Sequence, residues 1–298
     1  MSENERTLGA VRDLLIHPEG PPVYAMAVLG GLARSAAAML SQAAEETVGG
    51  IMANALGHTK FLDSRGMRAM LSASDFSALD LNNGNTTVYF VLPPEYLGVH
   101  QRALRLVVNT FLAAAAKGRK GKHPTLYILD EFYSLGSLSI MTRAAAIMRG
   151  YGVRIFWIVQ NLTQIAELYP RNWETFFANA GQVQVFSVND RAGAEYISAR
   201  LGHRVKWRKR ETRMKNGVRV EWEPAGASSL RDGIEVGRST SRESGLQIVL
   251  NEGGDPFLLR RTPYDKLFKE SDYAPDPFEP RRQTLANRMF SKLRKFMT

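Results

Sequence analysis

Apolar and polar positions follow three regimes along the chain. From Val23 to about Ser74, Ala, Met, Leu, Glu and Arg predominate without a β-branched run. Val28, Leu32, Met39, Val48, Ile51, Met52 and Ala55 recur at three- and four-residue steps, which predicts a set of helices. Ahead of them, residues 1–22 are polar and end in Pro18, Gly20, Pro21 and Pro22, which block a continuous helix. The stretch 80–85, Asp-Leu-Asn-Asn-Gly-Asn, is a turn signal.

The second regime alternates short apolar runs with helical periods. Thr86–Leu92 is a β-branched, aromatic run stopped by Pro93 and Pro94, and residues 99–116 put Leu104, Val107, Val108, Phe111 and Leu112 on one helical face. Leu126–Leu129, Val153–Val159 and Val183–Val188 read as further strands. Between and after them come helices over 138–149 with Gly150 as the stop, over most of 161–179, and over 190–201. Continuous apolar strands separated by helices predict an α/β fold whose parallel sheet is covered on both faces. After Leu201 the chain turns polar. Stretches 218–222 and 246–250 predict peripheral strands or a hairpin, Phe257–Arg261 a last strand, and 283–297 a helix after a Pro- and Asp-rich segment.

Composition narrows the chemistry. At 44% hydrophobic and 23% charged, 298 residues can bury a core without a disulfide or metal staple. The absence of cysteine removes thiol nucleophiles, iron–sulfur clusters and thiolate zinc sites. Five dispersed histidines offer no close metal-binding pair. A formal net charge of +10 attracts nucleic acid or an anionic membrane surface, the bland alternative being a basic surface that binds neither. The best membrane candidate, 22–40, is broken by Gly30, Gly31 and Arg34, and Glu3 and Glu5 do not suit a secretory signal; a soluble piece is expected.

The most informative segment is 126–136, an apolar strand delivering Asp130 and Glu131 at its C-terminal end. That is a Walker B arrangement, in which the aspartate holds a nucleotide's magnesium and the glutamate polarises the attacking water. Ligands of open parallel sheets bind at that end of the strands. The plain alternative is a chain re-entering solvent. Gln160, at the end of the next strand, can sense a γ-phosphate or orient water; otherwise it opens a helix capped by Asn161. Arg149 closes the intervening helix, either as a cation on the helix dipole or as an arginine finger for a neighbouring subunit's nucleotide.

Tyr127–Gly136, then Met148-Arg149-Gly150-Tyr151-Gly152-Val153-Arg154 and Trp157-Ile158-Val159-Gln160-Asn161, resemble the TraG/VirD-type coupling proteins, the type IV secretion motors of bacterial conjugation. Thr87–Tyr96, Leu168-Tyr169, Trp173–Phe176, Asn179, Val188–Asp190 and Ala194–Ile197 are similar to the family too. The resemblance implies a partial RecA-like P-loop NTPase fold with an all-helical insertion. Residues 1–80 would belong to that insertion, 81–270 to the C-terminal half of the motor and 271–298 to a basic tail. It implies a membrane-anchored homo-hexamer at the cytoplasmic face of the inner membrane, using ATP and Mg2+. Its cargo would be relaxase-bound single-stranded DNA, passed to other type IV secretion components. By position, Asp130 and Glu131 match the Walker B pair, with Asp130 the metal residue, Gln160 matches the polar residue of motif III, and Arg149 the trans-acting arginine.

One departure is large. No GxxxxGK[ST] loop occurs in this sequence, and the nearest imitation, Gly118–His123, has the wrong spacing and lies between helix and strand. The resemblance therefore implies the C-terminal portion of a coupling protein, without ATPase activity or tight ATP binding on its own. A non-catalytic adaptor for relaxase and DNA, or an unrelated RecA/FtsK-like translocase fragment, are the alternatives.

Three basic clusters remain: Lys117, Arg119, Lys120 and Lys122 in a loop; Arg204, Lys206, Trp207, Arg208, Lys209, Arg210 and Arg213; and a tail in which Arg281, Arg282, Arg288, Lys292, Arg294 and Lys295 accompany an apolar helical face. Charge interleaved with a tryptophan ring makes the second the candidate for weak, sequence-independent binding of single-stranded DNA.

Overall fold

The computed structural model describes residues 7–17, 23–83, 86–118, 121, 123–214, 217–272 and 274. The chain divides into two compact units, Met1–Gly181 and Gln182–Thr298, a boundary that falls inside the 81–270 stretch.

The first unit opens with helices. Residues Leu8–Ile16 form α1, whose N-cap Thr7 accepts a hydrogen bond from the Ala10 amide. Then follow α2 (Val23–Leu29), α3 (Gly31–Gln42), α4 (Glu45–Thr59) and α5 (Arg65–Met70). The chain turns between α2 and α3 at Gly30 and Gly31, both at positive φ, where side chains are disfavoured. The helical period holds over 23–74, but Val28, Leu32 and Met39 are exposed, so that stripe does not face this unit's core. The core here is Phe61, Leu62 and Met67 packed with Ala103. Residues Asp80–Asn83 of the turn signal form a short helix, α6, and residues 84 and 85 lie outside the described residues.

Thr86–Leu92 is not a strand. No described segment pairs with it, and Tyr89 and Val91 are 85% and 81% exposed. β-propensity expresses itself through cross-strand neighbours, and this run has none. Next comes α7 (Leu97–Lys117), which buries Ala103, Val108, Leu112 and Ala115. β1 (Thr125–Leu129) then pairs parallel with β2 (Val153–Trp157), the connection carrying α8 (Ser139–Ile147) and a 3₁₀ turn, Met148–Tyr151. The helix stop is Gly152, at φ +77, rather than Gly150: the left-handed position comes after the 3₁₀ turn. The expected helix over 161–179 is two, α9 (Leu162–Leu168) and α10 (Glu174–Ala178), interrupted around Pro170, which cannot donate the helical hydrogen bond.

Coverage of the parallel pair also differs from expectation. Tyr127, Leu129, Ile155 and Trp157 pack against the main core, which includes Val108, Leu112, Phe132, Met141, Ile165 and Phe176. Alternate residues Leu126, Ile128 and Phe156 are exposed, so within this unit one face of the pair is covered and the other is bare.

The second unit holds two antiparallel sheets. β3 (Gln182–Val185) pairs antiparallel with β6 (Leu246–Asn251), which pairs antiparallel with β7 (Phe257–Arg260). The expected strand at 183–188 therefore exists in part, but outside the parallel pair. Its partner comes from the segment beyond residue 245, and a strand as short as Gln-Val-Gln-Val cannot by itself say which edge it meets. α11 (Arg191–Leu201) is capped by Asp190, and α12 (Gly233–Thr240) by a capping box of Asp232 and Glu235. Ile197, Val236, Ile248 and Leu250 form this unit's core. Between the helices, β4 (His203–Met214) and β5 (Gly217–Ser229) make a long two-stranded ribbon. A short α13 (Tyr264–Leu267) follows β7. The expected helix over 283–297 lies outside the described residues.

Candidate functional site

The site is built at the C-terminal end of the β1–β2 pair. Leu129 stands opposite Trp157, and the ladder runs one step further: the Ile158 amide donates to the Leu129 carbonyl at 3.1 Å, and the Phe132 amide to the Ile158 carbonyl at 3.4 Å. Asp130 and Glu131 lie between those two bonds, in an exposed turn leading into a 3₁₀ segment, Phe132–Leu135. Phe132 is fully buried beneath them, within 6.3 Å, 6.1 Å and 5.6 Å of the Trp157, Tyr169 and Phe176 ring centroids. The carboxylates are thus held at the surface by the side chain that follows them in sequence.

Gln160 follows β2 by three residues, at the same end of the pair as Asp130. Its amide N–H donates to Gln164 Oε1 at 3.0 Å, while Asn161 Oδ1 accepts from the Gln164 amide at 3.0 Å and caps α9. The backbone at Gln160 is therefore fixed, and its exposed side chain has no hydrogen bond to the described residues. So the capping role and a free amide coexist: Asn161 does the first, and Gln160 retains the second.

Arg149 is at the other end. It sits in the 3₁₀ turn before Val153, so the five-residue β2 separates it from the acids, roughly 16 Å of strand at 3.3 Å per residue. The guanidinium is exposed and forms no ion pair with the described residues. Within one chain the structure brings Asp130, Glu131 and Gln160 to one sheet end and leaves Arg149 out.

Among the described residues no group of three or more His, Asp or Glu side chains could hold a metal. One or two carboxylates suffice for Mg2+ when phosphates and water complete its shell, so Asp130 fits the metal side of a magnesium nucleotide. The phosphate side has no match, since no glycine-rich loop with the required lysine exists in the sequence.

The basic cluster over 204–210 lies on β4 and is exposed throughout. Arg208 donates to Glu223 at 3.0 Å, and Arg210 pairs with the same carboxylate at 3.4 Å. Arg208, chiefly, holds the Glu223 carboxyl below its ordinary range. Lys209 pairs with Glu211. Arg204, Lys206 and Arg213 have no ion pair with the described residues. Sequence reasoning missed Trp222, which stands opposite Lys209 across the ribbon; the alternation over 218–222 was the available signal. Most of the loop and tail clusters lie outside the described residues.

Comparison with known proteins agrees with the fold. TrwB, a bacterial conjugative coupling protein, solved in complex with ADP and Mg2+, superposes with a TM-score of 0.53 at 14% identity, over 86% of this chain and 63% of that one. It shows the RecA-like P-loop NTPase fold. The conjugal transfer protein TraG of Agrobacterium fabrum is 33% identical over 72% of this chain and 33% of its own length. VirD4 of the same organism is 31% identical over 66% of this chain and 30% of its own. The chain thus spans about a third of the length of the curated relatives it matches. The profile of the type IV secretory system conjugative DNA transfer proteins matches residues 32–219. With that span covering more than half of the chain, the protein belongs to the type IV secretory system conjugative DNA transfer family.

Proposed function

We propose that this chain supplies the Walker B side of a DNA-transfer motor that delivers relaxase-bound single-stranded DNA to a type IV secretion channel. The observation that carries the reading is the pairing of Asp130–Glu131 and Gln160 at the C-terminal end of two adjacent parallel strands. In this reading Asp130 holds Mg2+ through water, Glu131 polarises the attacking water, and Gln160 reports on the terminal phosphate. Arg149, set away from the acids of its own chain, serves the nucleotide of a neighbouring copy in a ring, where such a residue is worth about 10³–10⁵ in rate. The helices of residues 1–80 belong to the insertion domain, and residues 81–270 to the motor. The assembly works at the cytoplasmic face of the inner membrane. Among the described residues no helix is long and apolar enough to cross a membrane, so in this reading the anchor is not one of them.

These 298 residues alone neither bind ATP tightly nor hydrolyse it, because they hold no GxxxxGK[ST] phosphate cradle, which a polypeptide carrying that loop would supply. The test mixes the chain with such a polypeptide and measures phosphate release. Gain of hydrolysis on mixing, lost again with Glu131→Gln, supports the motor. No gain, together with retained relaxase binding, overturns it in favour of a non-catalytic adaptor. Micromolar ATP binding by the chain alone would contradict both.

A further inference from the structure

The β4–β5 ribbon has two chemically different faces. Directly opposed residues share a face, so the register pairs Trp207 with Pro224, Lys209 with Trp222, Glu211 with Val220 and Arg213 with Val218 on one side. On the other side Arg208 opposes Glu223, Arg210 opposes Glu221 and Thr212 opposes Arg219. The ion pairs agree with this division: Glu223 takes Arg208 and Arg210, and Glu221 takes Arg219. Arg208, Arg210 and Arg219 on that second face are therefore satisfied within the ribbon.

The first face holds the Lys209–Glu211 ion pair but leaves its two rings and Arg213 open among the described residues. Trp207 and Trp222 are diagonal neighbours, about 7–8 Å apart along the backbone. They are 59% and 63% exposed, and neither ring contacts another ring among the described residues. Arg213 shares their face and is unpaired, whereas the unpaired Arg204 and Lys206 lie toward the base of the ribbon on the other face, with Arg208. Residues 203–229 carry eight Lys and Arg against three Glu. Near the base the register slips at Val205/Trp207, with Gly226 at φ +112 in the facing strand, a bulge that adds twist there.

We propose that this face of the ribbon binds single-stranded nucleic acid, with bases stacked on Trp207 and Trp222 and a phosphate met by Arg213. Two exposed rings need flat apolar partners, and the unpaired Arg213 beside them needs an anion. A single strand supplies both in one molecule. A duplex hides its base faces, a lipid surface offers no ring-shaped partner, and a second copy would bring the same excess of positive charge. Nothing in this assignment uses Asp130 or a nucleotide, so it stands or falls apart from the motor reading.

The test is fluorescence anisotropy of a labelled oligo-dT strand with the full chain, with circular dichroism as the folding control. Trp207→Ala and Trp222→Ala each weaken binding about 5- to 150-fold, the range for loss of one stacked base, while Trp222→Phe retains most of it. Arg213→Gln lowers affinity and reduces the salt slope by about 0.7, the value for one phosphate contact to a single strand. Arg219→Gln, on the opposite face, changes affinity less than Arg213→Gln does. The assignment is overturned if both alanine variants bind oligo-dT as the parent does, or if Arg219→Gln matches the loss at Arg213. Tighter binding to the duplex than to the single strand, or binding to phosphatidylglycerol vesicles without binding to the oligonucleotide, also overturns it.

Discussion

Phe132 stacks on Tyr169 with ring planes 10° apart and centroids 6.1 Å apart, and the residues immediately before Phe132 are the two acids of the candidate site. Tyr169 is itself tied down, its hydroxyl accepting from the Leu138 amide at 3.1 Å. The geometry of the acid turn is thus set by a buried aromatic cluster rather than by bonds to the carboxylates. Phe132→Ala, at a fully buried ring, is expected to cost about 3–5 kcal/mol. Thermal or denaturant unfolding measures it, and Phe132→Leu should cost clearly less.

The acids themselves should behave in the opposite way. Asp130 and Glu131 are exposed and make no ion pair among the described residues. Asp130→Asn and Glu131→Gln are therefore expected to leave stability within about 0.5 kcal/mol of the parent. Their effect should appear only in phosphate release by the mixture with a phosphate-loop polypeptide. Equal loss of stability and of turnover would show that they are scaffold.

Gly150 and Gly152 make a paired comparison. Gly152 has φ +77, a region that costs residues with a Cβ about 1–2 kcal/mol, whereas Gly150 has an ordinary φ and open space around its missing side chain. Gly152→Ala should destabilise by about that amount. Gly150→Ala should be neutral or slightly stabilising, because it restricts the unfolded chain. Denaturant midpoints of the two variants decide it.

Element type was legible wherever a long period repeated, as in α7 and in the helices of 23–74. What sequence could not supply was the partner of each short run. Thr86–Leu92 has the residues of a strand but no ladder to join, and Val183–Val185 joins an antiparallel sheet through β6. The exposed Val28, Leu32 and Met39 show the same limit, since a stripe states that a face is apolar without stating what covers it. Of the site, the order strand–acids–helix–strand–glutamine was readable from spacing alone. That Arg149 stands at the far end of β2 follows only from parallel pairing.

The helix over Leu8–Ile16 was illegible for a related reason: its anchor is long-range. Arg12 donates to both Asp63 oxygens at 2.9 Å, to the Leu56 carbonyl at 2.8 Å and to Thr59 at 3.0 Å. The arginine is buried and Asp63 is half exposed. Asp63→Ala should cost roughly 2–3 kcal/mol. That is below the 3–5 for a wholly buried pair, because water reaches the site and the Leu56 and Thr59 bonds persist. The loss should be accompanied by faster amide exchange in Leu8–Ile16, and unchanged exchange there would show that α1 is held by other contacts.

Burial pushes the Tyr127 hydroxyl up to about 12 from the ordinary 10.0, and that hydroxyl donates to the Phe111 carbonyl at 3.2 Å. The folded state therefore holds the proton more tightly than the unfolded chain does. For a group whose value is raised on folding, its stabilising contribution is complete below pH 10 and is lost as pH rises toward 12. Tyr127 joins β1 to α7, so its ionisation opposes the packing beneath the acid turn. Alkaline denaturation followed by far-ultraviolet circular dichroism should show stability falling across that window. Tyr127→Phe should start from slightly lower stability, having lost one hydrogen bond worth about 1 kcal/mol, and should lose less between pH 10 and 12. An identical alkaline slope in the two proteins would assign the fall to other groups.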